Sequence, residues 1–327
     1  VAPVLLSHDV FSYLDYARLG VVHGLDPYVH APDSAPADPV YADVTWTEAT
    51  SAYGPLFTLA TYPLAWLPVG LAVALLKAAA ALSVLGVALL VSRIAAWRGV
   101  DPLRAAAFVA LNPLVLVHVV GGAHNDGLAM LLVMAGVAAL LTARPASAGA
   151  ALVASIAVKA SAVVLLPFAV VDLAAMRKQM RPHGAVWRFV GGGLAAALAI
   201  IAGACLAFGW DWTGALGLAG ENQDRTSHMS IPITLARLTG LDPDPVRAAA
   251  LALYAAAVVF LLTRTWRGHD WVEAAAWATL GLLLATAWLL PWYLIWLLPL
   301  AAISRSRPLL LLTLALTAYQ LGARIPL

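Results

Sequence analysis

Three short polar runs interrupt an otherwise oily chain, and each carries side chains able to move a proton or hold an anion: Ser7-His8-Asp9, His124-Asn125-Asp126, and Lys159 flanked by Ser155 and Ser161. A carboxylate such as Asp9 can take the proton of a hydroxyl, and an ammonium can offset charge developing on a phosphate. Asp9 also has a plainer reading. It stands just before the helically spaced Val10, Phe11, Leu14 and Asp15, where an N-cap would stabilise a helix by about 0.5–2 kcal/mol relative to Ala. Cap and base are compatible roles. In Gly121-Gly122-Ala123-His124-Asn125-Asp126-Gly127 the glycines suit a turn and Asn and Asp suit helix starts, yet neither purpose requires His124. The three polar residues therefore also read as a shelf for a sugar or a cation, with Asp126 as a reserve base. Lys77 and Lys159 would cost about 2.5–3.5 kcal/mol each if they faced lipid at a helix centre. Lys159 can meet a phosphate or snorkel to water; Lys77, deeper in its apolar stretch, calls for an interior partner. In the polar run 221–230, Arg225 and His228, with Arg237 beyond it, can close over an anion, although such a run is ordinarily a solvated loop. His8, Asp9, Asp26, His124 and Asp126 include hard donors that suit a divalent metal, but no spacing among them marks a metal site. Walker-type, GxSxG, HExxH and CxxC patterns do not occur.

The elements that must position these groups are set by composition. Of 327 residues, 62% are hydrophobic and 11% charged, and mean hydropathy is +0.87. Soluble domains carry about 45–50% apolar and about 25% charged residues. A soluble enzyme, a disordered tail and a DNA-binding domain are thereby excluded, and the dispersed net charge of +2 leaves no basic patch for nucleic acid. The one cysteine, Cys205, cannot form an internal disulfide. Twelve Trp and nine Tyr suit a protein with two membrane–water interfaces. The chain reads as an all-α polytopic membrane protein, a single domain over 1–327 with a polar first loop and interfacial segment over 1–67 and a bundle over 68–327.

Apolar stretches cover 68–91, 104–120, 127–142, 189–208, 246–265, 271–289 and 308–321. Two more, 148–172 and 284–303, contain Lys159 and Pro291 and could each be one span or two short ones. If both mark hairpin tips, the inner loops hold Arg93, Arg98, Arg104, Arg144, Arg177, Lys178, Arg181, Arg188, Arg264, Arg267, Arg305 and Arg307, which is 12 of the 19 basic residues. The positive-inside rule favours that arrangement. It predicts ten crossings, four of them short, in an integral plasma-membrane protein whose polar runs lie on the extracytoplasmic side. The start at Val1 suggests that residues 1–6 end an upstream span. No repeat is evident, so the inverted halves of many transporters are unsupported.

Two long outer segments, 7–54 and 209–245, exceed the usual loop length. In the first, a helix is expected from Val10 to about Val22, ended by Gly24, then a turn at Leu25-Asp26-Pro27-Tyr28 and an extended connector over 31–39. Residues 53–68 suit the interface, and 231–238 read as a short interfacial helix.

Ser7-His8-Asp9-Val10-Phe11-Ser12-Tyr13, His23-Gly24-Leu25-Asp26-Pro27-Tyr28, Ser51-Ala52-Tyr53-Gly54-Pro55-Leu56, Gly122-Ala123-His124-Asn125-Asp126-Gly127, Val158-Lys159-Ala160 and Pro291-Trp292-Tyr293-Leu294-Ile295-Trp296 occur in this order. The ordered set resembles the polyprenyl-phosphate-mannose-dependent α-mannosyltransferases of actinobacterial envelopes, in the GT-C glycosyltransferase superfamily. The resemblance implies a GT-C helical bundle with short paired helices and a large first outer loop. It also implies inverting transfer of a sugar, mannose by preference, from a polyprenyl phosphate to a cell-envelope glycan or lipid acceptor. Asp9 matches the acidic residue that the family places at its catalytic centre. Lys159 becomes the leading phosphate partner, with Lys77, Arg225 and Arg237 behind it. His124 and Asn125 would orient sugar or acceptor, Tyr13, Tyr28 and Trp292 would stack on sugar or lipid, and His8, Asp26 and His228 complete the candidate substrate-binding set. Two departures from the pattern, His8 where Arg often precedes the Asp and the missing upstream span, point to a compact subfamily. Competing readings are a transporter or lipid flippase working through Lys77 and Lys159, and a non-catalytic membrane scaffold.

Overall fold

A lipid-embedded backbone must satisfy its own hydrogen bonds, and in a chain this apolar the solution is helical. The structure, a computed structural model, describes residues 4–175, 184–221 and 225–323, and among these the regular elements are all helices. In order they are α1 (Asp9–Val21), α2 (Pro55–Thr61), α3 (Val69–Trp97), α4 (Pro102–Ala110), α5 (Asp126–Leu141), α6 (Pro145–Val158), α7 (Leu165–Ala174), α8 (Ala185–Phe208), α9 (Gly214–Glu221), α10 (Ile231–Thr239), α11 (Pro243–Trp266), α12 (Trp271–Ala285), α13 (Leu294–Ile303) and α14 (Arg307–Gly322). Three of them, α3, α8 and α11, are long and apolar enough to cross a membrane. At 1.5 Å per residue the 29 residues of α3 reach about 43 Å, beyond the roughly 30 Å hydrocarbon core. Trp97, Trp187 and Trp266 are exposed at one end of these helices, and Trp66 and Trp210 at the other. That is the distribution of interfacial aromatic belts.

The chain breaks where the sequence inserts polar or proline residues. α6 stops at Val158, Lys159 is extended, and a 3-10 turn over Ala160–Val164 leads into α7. α12 stops at Ala285, and a 3-10 turn over Pro291–Tyr293 opens α13. The stretch expected as one helix over 104–120 is interrupted. α4 ends at Ala110, and Asn112 accepts the Leu114 N–H through its side chain at 3.0 Å and donates to the Thr317 hydroxyl at 3.3 Å. Beyond Pro113 the backbone widens to a π-helix over Val115–Val120.

The expected extended connector over 31–39 is instead folded back. The buried Asp38 carboxylate takes hydrogen bonds from Arg18 at 2.9 Å and His23 at 2.7 Å, pulling the loop onto α1. The run over 221–230 is not a uniformly solvated loop either. α9 ends at Glu221, Ser227 and Ser230 are buried, the Ser227 N–H donates to the Ala287 carbonyl, and the Ser230 hydroxyl donates to that of Thr286. The second long loop is thereby pinned to the break after α12. Arg177, Lys178 and Arg181 lie outside the described residues.

Close helix contact depends on glycine between α6 and α8: a β-carbon at Gly149 would overlap the Phe189 carbonyl, and one at Gly192 would lie 2.6 Å from the Ala146 carbonyl carbon. At the Trp97 end, Arg98 pairs with Asp270 and donates to the Ile303 carbonyl at 2.7 Å, while Arg305 donates to the Arg98 carbonyl. Arg98, Asp270 and Arg305 line a cavity of about 380 Å³ with Asp172, His269 and Trp271. Its arginines cap helix ends and face carboxylates, and it lies at the far end of α3 from the polar runs.

Candidate active site

The small apolar cluster of Val10, Tyr13, Phe57, Val73, Leu76, Ala123, Ala129 and Val158 is the floor on which the polar runs meet. It joins α1, α2, α3, α5 and the end of α6 in one place. Tyr13 packs edge-on against Tyr53 at 4.7 Å and Phe57 at 4.9 Å. Gly54 brings this floor against α6: a β-carbon there would overlap the Ala157 carbonyl, 2.5 Å from its carbon. Only glycine allows that approach, two residues before Lys159.

Asp9 is the first residue of α1, not its cap. His8 occupies the cap position, and no side chain caps the helix. The expected N-cap role is thus corrected, because the Asp9 side chain turns toward the shelf, where Oδ2 lies 3.6 Å from His124 Nδ1. The side chain keeps 19% of its surface exposed. Burial raises the Asp9 pKa, Lys159 opposes that shift and Asp126 adds to it.

Asp126 has no exposed side-chain surface, and both its oxygens are engaged. Oδ2 accepts from Lys159 Nζ at 3.1 Å and Oδ1 from the Trp296 indole N–H at 2.7 Å. Lys159 remains 20% exposed, with two of its three N–H donors left for other partners among the described residues, and its ammonium lies 5.8 Å from the Tyr293 ring centre. Two aromatic stacks flank the pair: His124 on Trp292 at 3.9 Å, and Tyr293 on Trp296 at 4.1 Å.

The turn carrying His124 is built from strained parts. It follows the π-helical segment, a distortion frequent at functional sites. Ala123 takes a left-handed φ of 57°, which costs about 1–2 kcal/mol in a residue with a β-carbon. A β-carbon on Gly122 would lie 3.0 Å from the His124 ring. Among the described residues, both ring nitrogens of His124, both polar atoms of the Asn125 side chain and the Tyr13 hydroxyl are buried without a hydrogen-bond partner. Burial, with help from Lys159 and His118, holds the His124 pKa well below its ordinary value, so the ring is neutral.

Asp9, Tyr13, His124, Asn125, Asp126, Lys159 and Trp292 are therefore brought together. Arg225 stands at the rim, 4.6 Å above the Trp46 ring, and Trp46 in turn acts on the Asp9 carboxylate. The remaining candidates lie elsewhere. His8 is exposed, with Nδ1 3.0 Å from the Asp43 carbonyl, and Asp26 accepts the Tyr28 N–H at 2.8 Å. The Tyr28 hydroxyl donates to the Tyr53 carbonyl at 2.9 Å, and its ring packs on Phe208. His228 and Arg237 are exposed, and Lys77 is half-buried on α3 beside Leu76. Sequence reasoning left out Tyr53, Tyr293 and Trp296 as site residues although they lie in the quoted motifs; the i, i+4 spacing of Trp292 and Trp296 was the available signal. Trp46 carried no signal. Among the described residues no three His, Cys, Asp or Glu side chains gather as a metal site.

Comparison with known proteins bears on this assembly. The family described as "Alpha-(1->6)-mannopyranosyltransferase, N-terminal domain" matches residues 1–175, which include Asp9, the 124–126 shelf and Lys159. Alpha-(1->6)-mannopyranosyltransferase A of Mycobacterium tuberculosis is 36% identical over 179 residues, 52% of this chain and 34% of the relative. The protein of that name from Corynebacterium glutamicum is 33% identical over 175 residues, 52% of this chain and 35% of the relative. The matched segment spans about a third of the length of these curated relatives. No solved structure matches. With its family match covering more than half of its residues, the chain belongs to the actinobacterial alpha-(1->6)-mannopyranosyltransferase family.

Proposed function

We propose that the chain is an inverting mannosyltransferase that moves mannose from a polyprenyl phosphate to a hydroxyl of a cell-envelope glycan or lipid. The observation that carries this reading is the convergence of a reachable carboxylate, Asp9, and a reachable ammonium, Lys159, beside buried polar atoms that lack partners among the described residues. Phosphate is a sufficient leaving group, so the reaction needs a base for the acceptor proton and a cation for the departing oxygen. The acceptor O–H gives its proton to Asp9, its oxygen bonds to the anomeric carbon, and the bond from that carbon to the phosphate oxygen breaks. The electron pair leaves with the phosphate and is met by Lys159. One displacement inverts the anomeric centre, so the α product named for the relatives requires a β-linked donor. Asp126 serves by holding Lys159.

The same reading takes the bundle as GT-C type, with ten crossings and the site on the extracytoplasmic face. Its support is that the breaks at Lys159 and Pro291 fall at one end of the molecule, both contacting Asp126 or His124, as the count of basic residues requires. The test is Asp9→Asn in membranes supplied with polyprenyl-phosphate mannose, with folding followed by thermal unfolding. Transfer should fall by about 10³-fold or more while the unfolding temperature holds. Full transfer by a folded Asp9→Asn protein refutes the assignment.

A further inference from the structure

The site spends a π-helical segment, a left-handed alanine and an obligatory glycine on presenting one imidazole to one carboxylate. Strain concentrated at one residue asks for a purpose that packing alone does not supply. His124 has no exposed surface, so it cannot touch an acceptor directly, and its face is fixed by the stack on Trp292. Its Nδ1 is the ring atom aimed at Asp9, 3.6 Å from Oδ2. A neutral imidazole with its proton on Nδ1 can donate there, and catalytic hydrogen bonds that are long in the empty protein tighten when substrate is bound.

We infer that His124 is the positioning residue for Asp9: its Nδ1–H holds Oδ2, turns Oδ1 to the acceptor and keeps the carboxylate ionised while the bound substrate excludes water. This rests on Asp9 being the base. The other groups facing Asp9 are Lys159 at the end of α6, Asp126 on α5, Tyr13 and Tyr16 on α1, Tyr53 before α2, Tyr293 before α13, and Trp46 and Ser7 in the first loop. Of these, Lys159, Ser7 and Trp46 also favour the ionised form, and Lys159 is already shared with Asp126. A hydrogen bond to the ionised carboxylate lowers its pKa, so losing it raises the pH at which activity appears.

The experiment measures the turnover rate against pH for the full chain in membranes, for His124→Phe, His124→Asn, His124→Gln and Asp9→Asn. Phe keeps the stack on Trp292 and loses the donor; the Asn amide nitrogen stands near the place of Nδ1, that of Gln near Nε2. His124→Phe should slow turnover about 10–100-fold near neutral pH and move the acidic limb up by about one pH unit, with partial recovery at high pH. His124→Asn should return most of the shift, and His124→Gln little of it. Should His124→Phe fail to fold, the contrast between Asn and Gln carries the test. A loss equal at all pH values, no loss, or equal behaviour of Asn and Gln overturns the inference while Asp9→Asn remains inactive. An active Asp9→Asn instead removes the base, and His124's role goes with it.

Discussion

Gly54→Ala adds one carbon to the protein, and the structure says where it goes. The β-carbon would overlap the Ala157 carbonyl and lie 2.5 Å from its carbon, against the 3.0 Å below which real contacts of this kind are essentially never seen. Neither neighbour is a flexible side chain. Gly54 precedes Pro55 at the start of α2, and Ala157 is in the last turn of α6. The two backbones must part by at least several tenths of an ångström, and overpacking of this kind costs about 1–3 kcal/mol. Its larger effect falls two residues on. Lys159 lies two residues beyond Ala157 and reaches Asp126 at 3.1 Å, so a comparable shift carries its ammonium out of register with the phosphate it is proposed to meet. A displacement near 1 Å can cost about 10²-fold in rate. The assay is mannose transfer from polyprenyl-phosphate mannose in membranes, read beside thermal unfolding in detergent. Turnover should slow by about 10-fold or more, exceeding what the change in unfolding temperature accounts for. A Gly54→Ala protein with wild-type rate and stability would refute the claim that this contact sets the position of Lys159.

Two further outcomes are expected. Asp15 is buried on α1 with Oδ2 lacking a partner among the described residues, and burial, reinforced by Asp38 against the opposing His23 and Arg18, raises its pKa from 3.8 to about 7. A carboxyl with a raised folded pKa holds its proton when folded and loses it when unfolded, so it costs nothing below about pH 4, and its penalty grows up to about pH 7, reaching a few kcal/mol. Asp15→Asn should therefore raise the unfolding temperature at pH 8 and leave it nearly unchanged at pH 4; equal shifts at both would contradict this. Lys159→Met, which keeps the apolar stem, should lower catalytic efficiency by about 10²–10³-fold. Because Asp126 acts through Lys159, the double variant with Asp126→Asn should be no slower than Lys159→Met alone, and additive losses in transfer assays would separate the two roles.

Much of the architecture could be read before any coordinates, because bilayer physics is nearly one-dimensional. The distribution of basic residues predicts Lys159 and Pro291 at one end, and in the structure both neighbourhoods reach the 124–126 turn. The meeting of Asp9 with His124 came from an ordered set of motifs, not from periodicity. Local pattern failed where tertiary contact decides. Asp9 has the residue type of a cap, but its carboxyl answers to His124 and Lys159, more than a hundred residues away. The three prolines of 31–39 suggest an extended strand of chain, and one buried Asp38 pulls it into turns. Trp46 reaches the site because the long first loop folds back, a geometry no spacing rule encodes.

The two interrupted helices have a consequence for where the reaction happens in depth. α7 and α13 have 10 residues each, about 15 Å of rise, half of what a hydrocarbon core demands. On the proposed transmembrane reading, their starts lie below headgroup level when their other ends reach the opposite interface. On the proposed reading, the protein thus carves a shallow basin into the lipid, in which a charged headgroup can sink without dragging its tail out of the oil. Helix length is the ruler that sets the floor of that basin, and one added turn in either segment would lift it by about 5 Å.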